Sequence, residues 1–323
     1  MPVTAADRTP TAALPRTPSG SRQRREATIA FWLFVGPLVL GLLVFTFLPI
    51  GWGFLISLSR ARNTVSIGDF VGLDNYTAIL SDREFRRSLV TILIFTAFIV
   101  PLTYGFALGL ALLINGVGFG RGFFRTVFFI PTAISYVVAS LIWKLSLFNG
   151  LPSGVANIAL FEWFGIERPV SWIANPSPPW YWLVLVTVRL WLQVGFYLII
   201  FIAGLQEIPR SLYEAAFVDG ARTGWRTFRD ITLPMLRNTS IAVLLLLFIN
   251  AFQAFDEFFN ILGGTAATQG NRGLARPPLV YLFQVAFQDA DYGRGSAGAF
   301  ILTALIVGVT LIQGRIFGFG RST

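Results

Sequence analysis

Apolar residues in this chain come in long runs, separated by short stretches where Arg, Gly, Pro and polar residues gather. The runs cover 27–59, 88–115, 123–148, 180–205, 239–262 and 296–319 and carry few charges. A hydrocarbon core of about 30 Å is crossed by a helix of about 20 apolar residues, so each run predicts a membrane-spanning helix. The expectation is an all-α membrane protein with about six transmembrane helices. At about 1.5 Å per residue the first run is roughly half as long again as the core is thick, which calls for tilt or for a break near Pro49 and Gly51.

Polar residues inside the runs are few, and their spacing is informative. Arg189, Gln193 and Tyr197 recur every four residues in the fourth run and form one row on a helix, with Phe196 beside it. In the fifth run, at about 100° per residue, Asn250, Gln253, Asp256, Glu257 and Asn260 fall within an arc of about 120°. A charge at mid-membrane costs about 2.5 to 3.5 kcal/mol on insertion scales, so the arc must face protein or water. Two readings follow. The arc lines a solute pathway, for which amide, phenol and aromatic groups suit sugars; or Arg189 pairs with Asp256 or Glu257 and simply joins two helices. Solute contact is weighed above all for Gln193 and Gln253, and a structural or gating ion pair for Asp256 and Glu257.

Composition narrows the chemistry. With 54% hydrophobic and 13% charged residues, the chain has about half the charge of a soluble domain. It contains no Cys and no His, which excludes thiolate nucleophiles, imidazole bases and Cys/His zinc sites. No cofactor or metal is expected, and the net charge of +9 reads as loop charge rather than a nucleic-acid footprint. On the side that holds both termini there are 14 arginines, against 9 on the other, which favours cytoplasmic termini. Arg83, Arg86 and Arg87 work against that bias and are expected on a short interfacial helix, with Asp82 and Glu84 as partners. The lone lysine, Lys144, follows Leu141-Ile-Trp rather than glycines, so a P-loop is excluded and the residue reads as snorkelling.

The stretch 206–238 is polar yet ordered in pattern. Ser211 with Glu214 three residues on is a capping-box spacing, and Gly220 stands where a short helix closes in left-handed geometry. A short helix, a turn and a second helix are predicted, the first presenting Glu214 beside the small residues Ala215 and Ala216. That surface suits docking into a groove of another protein; lying on lipid headgroups is the alternative.

Glu214-Ala215-Ala216, Gly220, and then Ile231, Leu233 and Pro234 resemble the EAA loop of the membrane subunits of binding-protein-dependent ABC importers. Ten residues separate Gly220 from Ile231, one more than the usual pattern, and this bears on the second helix rather than the first. Further landmarks resemble those of carbohydrate-type permeases of the maltose and glycerol-phosphate branches. They are Gly36-Pro37, Phe47-Leu-Pro-Ile50, Phe70-Val-Gly-Leu-Asp-Asn-Tyr76, Phe129-Ile-Pro131, Leu147-Phe-Asn-Gly150 and Asp291-Tyr-Gly293, and the similarity spans 29–320.

The resemblance implies a type I ABC importer permease fold with a cytoplasmic coupling helix. Glu214, Ala215, Ala216, Asp219 and Gly220 would engage a separate ATP-binding cassette ATPase dimer. It further implies a second homologous permease subunit, an extracytoplasmic solute-binding protein and a bacterial inner-membrane location. Residues 1–26 are then a disordered cytoplasmic tail, 27–87 a first transmembrane helix with its outer loop, and 88–320 the permease core. Two other functions stay open: a glycerol-phosphate or polyol importer with Arg189 as the anion partner, and an ion-coupled carrier or intramembrane enzyme in which Asp256 and Glu257 relay protons.

Overall fold

The computed structural model describes residues 20–221, 224–263 and 275–317, with side chains from 24 to 316. The first nineteen residues of the expected tail lie outside the described residues. The remaining part, from Gly20, is helical and leads into the first span, so helix begins earlier than residue 27.

Two compact units divide at residue 55. The first is essentially one apolar helix, α1 (Arg24–Ser57, 34 residues), which ends just inside the second unit. It rises about 51 Å, well beyond a hydrocarbon core of about 30 Å. Of the two alternatives, tilt or a break near Pro49 and Gly51, the break is absent. A single π turn, Leu43–Phe47, precedes Pro49, with the Leu48 N–H bonded to the Leu43 carbonyl. Proline lacks an N–H and crowds the carbonyl four residues back, here that of Phe45; the wider π turn accommodates it without interrupting the helix.

In the second unit a short helix, α2 (Asp74–Ser81), precedes the long α3 (Arg83–Gly116). Next come α4 (Arg121–Phe129), which tightens to a 3₁₀ turn at Ile130–Ala133, and α5 (Tyr136–Ile142), which continues as a π turn through Leu147. These two form the expected 123–148 span, but bent by 94°. The cause is local: Ile134 and Ser135 are both extended, with ψ of 138° and 135°, just after Pro131. Beyond lie α6 (Val155–Phe164), α7 (Tyr181–Glu207), α8 (Arg210–Val218), α9 (Arg237–Phe252), α10 (Pro278–Phe283) and α11 (Tyr292–Phe317). Among the described residues five helical stretches have spanning length and hydropathy, Arg237–Gly263 counted as one, and there are six if the bent pair is a span, in line with the expected number of about six.

The core forms where α7 packs along α3, with α9 against both. Phe95, Ile99, Val188, Leu192, Leu198 and Phe201 are almost wholly buried there. At Gly195 on α7 the backbone of the last turn of α4 comes so close that a Cβ would overlap the Phe128 carbonyl.

Several of the sequence landmarks turn out to sit at corners. Asn75 donates to the Ser57 and Ser59 carbonyls, both at 2.9 Å, and the Tyr76 hydroxyl meets that of Ser57 at 2.7 Å. Gly293 comes from the other end of the chain: its N–H bonds to the Ala61 carbonyl at 3.1 Å, and a Cβ there would stand 2.7 Å from the Ser59 carbonyl. The segments 57–62, 70–76 and 291–293 thus form one clasp at the end of the bundle opposite α8. In the Leu147-Phe-Asn-Gly150 corner, the Asn149 carbonyl accepts from Asn157, whose Oδ1 accepts from Trp172 Nε1.

The three arginines expected on a separate interfacial helix lie instead in the first turns of α3. Arg87 pairs with Glu84 at 3.0 Å, as expected, while Asp82 acts as the N-cap. Its Oδ1 accepts from the Glu84 and Phe85 N–H groups, and its Oδ2 from the Tyr281 hydroxyl at 2.8 Å. Burial pushes the Asp82 carboxyl up, but the Tyr281 hydroxyl, the two N–H groups and Arg294 outweigh it and hold it below its ordinary 3.8. A lowered folded pKa adds stability above the unfolded value and loses it as pH falls through the folded one. Thermal unfolding of the purified protein should therefore show a loss of stability on acidification below about pH 4, and Asp82→Asn, which keeps a cap but no charge, should lessen it.

Candidate functional site

The fifth span is not one helix. α9 ends at Phe252, residues 253–255 leave helical geometry, and helix resumes at Asp256–Phe258 before a π turn at Phe259–Gly263. Phe255 carries the deviation, with φ −140° and ψ −60°. A single helical arc through Asn250, Gln253, Asp256, Glu257 and Asn260 therefore does not exist: the break re-aims everything after Gln253. No Gly or Pro marks the place.

Arg189 on α7 reaches this break from inside the bundle. Its Nη1 donates to both carboxylate oxygens of Glu257, at 3.1 and 3.2 Å, and its Nη2 to the Asn250 carbonyl at 2.6 Å. The guanidinium also lies over the Tyr136 ring, 4.9 Å from its centre. Arg189 is 6% exposed and Glu257 0%. Of the two partners expected for Arg189, the structure gives Glu257. That carboxylate is buried in the protein interior. Burying both charges is costly alone, and it is offset here by the bonds that engage both carboxylate oxygens and both terminal nitrogens, while the Arg189 Nε has no hydrogen-bond partner among the described residues.

The other residues spread around the break. Gln253 is exposed at the end of α9, whereas Asn250 and Asp256 are half-buried. Asn250 Nδ2 donates to the Tyr197 hydroxyl at 3.2 Å, so Tyr197 is buried against α9 and is 1% exposed. Gln193, 8% exposed, adjoins the Tyr136 hydroxyl. Asn260 is turned to its own helix, its Nδ2 donating to the Asp256 carbonyl at 2.7 Å. Phe196 is the ring of this row that stays open, at 42% exposure.

Lys144 corrects the snorkelling reading. Its ammonium points into the bundle and donates to the Asn260 carbonyl at 3.0 Å, near the end of the fifth span where helix carbonyls lack their own partners. Tyr136, which the sequence did not single out, is the ring beneath Arg189. Its only signal was its place just after the Phe129-Ile-Pro131 landmark.

The second candidate region is the 206–238 loop, joining α7 to α9 at one end of the bundle. α8 carries Glu214, Ala215 and Ala216. Asp219 caps its end, and Gly220 follows at φ +83°, the left-handed position expected of it. The capping box does not form: Pro209 is the N-cap and makes no side-chain bond. Glu214, Ala215, Asp219 and Gly220 are exposed and Ala216 half-buried. The Tyr213 hydroxyl meets that of Thr232 at 3.0 Å and fastens α8 to the second helical stretch, 225–235. Ile208 and Leu236, buried at the two roots of the loop, anchor it to the core. Arg222 and Thr223, in the turn that holds the extra residue, lie outside the described residues.

A bundle of apolar spans with a broken helix at its centre and an anchored helical loop at one end has the form of a transporter's membrane subunit. Residues 102–317 match the family described as the inner membrane component of binding-protein-dependent transport systems, and the chain belongs to that family. Among its relatives is the trehalose/maltose transport system permease protein MalF of Thermococcus litoralis, 33% identical over 92% of this chain and 96% of the relative. The probable ABC transporter permease protein YesP of Bacillus subtilis is 33% identical over 90% and 91%. The sn-glycerol-3-phosphate permease protein UgpA of Agrobacterium fabrum is 32% identical over 88% and 93%. The fold matches a chain of a bacterial ABC transporter that imports alginate, with a TM-score of 0.77, 22% identity, and coverage of 93% of this chain and all of the other.

Proposed function

We propose that this chain is the permease subunit of an ATP-driven sugar importer in a bacterial inner membrane, with cytoplasmic termini. It forms half of the translocation path and pairs with a second, homologous permease. An extracytoplasmic binding protein delivers the solute, and a separate ATPase dimer supplies the energy. When ATP closes that dimer, α8 is carried inward, and because Tyr213, Ile208 and Leu236 tie α8 to α7 and α9, the two spans follow and the path opens on the other side.

The observation that carries this reading is α8 itself: an exposed helix with one carboxylate and two alanines, closed by Gly220 and rigidly rooted in the two spans that surround the break. Membership of the binding-protein-dependent family and the sugar transport systems among the relatives support it. Arg189 favours a neutral solute over a phosphate ester, since Glu257 and the Asn250 carbonyl already engage it. The pathway wall falls to Gln253, Asn250, Asp256 and the open ring of Phe196, with Gln193, Tyr197 and Asn260 behind them.

The test is uptake of radiolabelled maltose or trehalose by liposomes holding the complete complex. Accumulation should require ATP and the binding protein and persist when a proton gradient is collapsed; uptake that follows the proton gradient without ATP would refute the reading. Gln253→Ala should raise the apparent KM by about tenfold, the loss of about one hydrogen bond to solute.

A further inference from the structure

The break in the fifth span has no sequence reason of its own. Residues 249–258 read Ile-Asn-Ala-Phe-Gln-Ala-Phe-Asp-Glu-Phe, with neither Gly nor Pro, and would suit a continuous helix. In such a helix the Asn250 carbonyl would accept from the Ala254 N–H four residues on. Here the Ala254 N–H bonds instead to the Ala251 carbonyl, at 3.1 Å, and leaves the Asn250 oxygen without its helical donor. Arg189 Nη2 fills that role at 2.6 Å. The same guanidinium holds Glu257, on the far side of the break, through Nη1. One buried side chain thus grips both ends of the interruption.

We infer that Arg189 is a positioning residue for solute: its fork keeps the fifth span unwound at 253–255 and so presents Gln253 to the pathway. This rests on the transport reading above. Interrupted helices at membrane depth are tolerated only where protein or a water-filled cavity satisfies the freed backbone, and transporters place solute sites at such interruptions. Without Arg189 the Asn250 carbonyl regains its partner by rewinding 251–255 into helix. Rewinding rotates Gln253 and everything beyond it, and Glu257 with them. The ion pair is then a means of holding a backbone shape and not merely a tie between two helices.

The two roles separate experimentally. A tie between helices can be replaced by packing, and paired apolar isosteres for a buried ion pair are often neutral or stabilising. The double variant R189M/E257M is therefore expected to assemble with its partners and to melt close to wild type. Its apparent KM for maltose or trehalose uptake should nevertheless rise about tenfold, because no donor is left for the Asn250 carbonyl. An unchanged KM in an assembled double variant overturns the inference.

Single variants test the same point should the double variant not assemble. R189K keeps a positive charge but cannot serve Glu257 and Asn250 at once, and should raise KM. E257Q leaves the fork on the carbonyl, and its KM should stay within about twofold of wild type. The reverse order overturns the inference. Hydrogen exchange of the 250–256 segment gives a readout without transport: fast at the break in wild type, slowed in R189M/E257M. Equal exchange in both proteins refutes Arg189 as the holder of the break even where uptake fails. Wild-type protein that shows fast exchange but no ATP-driven uptake would instead count against the transport function.

Discussion

Replacing Glu214 by Lys should cut solute-stimulated ATP hydrolysis and uptake by about thirtyfold or more while the chain still inserts and folds. The direction follows from where the carboxylate stands. Glu214 is exposed on α8 and makes no salt bridge among the described residues. Exposed charges contribute little to folding, about 0 to 1 kcal/mol, so the fold has no reason to suffer. A charge seated in a groove of a partner is another matter: truncating one side of such a contact costs about 2 to 5 kcal/mol, and about 2 kcal/mol is already about thirtyfold. In the proposed docking, Ala215 and Ala216 would let the helix approach closely, and Gly220 at φ +83° ends α8 in left-handed geometry. ATP hydrolysis and uptake in reconstituted liposomes, with membrane insertion checked separately, decide the matter. A Glu214→Lys protein that transports at the wild-type rate would remove α8 from the coupling path.

The second large effect falls on Gly195. Its backbone lies against the last turn of α4, ahead of the bend at Ile134 and Ser135, and a Cβ would overlap the Phe128 carbonyl. That oxygen is helix backbone and cannot swing away as a side-chain tip would. Gly195→Ala must push α7 off this turn. Overpacking of this kind costs about 1 to 3 kcal/mol, and here it acts on the helix that carries Arg189, Gln193 and Tyr197. The expected result is a lower melting temperature for the purified protein and less of the assembled complex. Gly308→Ala on α11, where a Cβ would meet nothing within 4 Å, should leave both unchanged. Equal melting temperatures for the two variants would contradict the close approach of α7 to this turn.

The length of the apolar runs made the spans legible, and Gly220 made the end of α8 legible, because both depend on local physics. The bend at Ile134 and Ser135 was less so, since both residues accept extended geometry without any compositional mark. The break at 253–255 was invisible for a stronger reason: its cause is Arg189, more than sixty residues away. An even rotation of about 100° per residue therefore carried the arc of polar residues straight through a place where the helix stops. The four-residue row of Arg189, Gln193 and Tyr197 was sound because α7 is continuous there. What it could not supply was direction: Arg189 faces Glu257 and Tyr197 faces Asn250, inside the bundle.

The chain has no cysteine, so the substitution Ala215→Cys would give it a unique thiol. With a single cysteine on the ATPase subunit lining its groove, a short thiol cross-linker should join the two chains in the assembled complex and arrest ATP-driven uptake until the link is cleaved. The contrary result is an Ala215→Cys chain whose thiol reacts with a lipid-phase reagent, never joins the ATPase, and leaves solute accumulation intact.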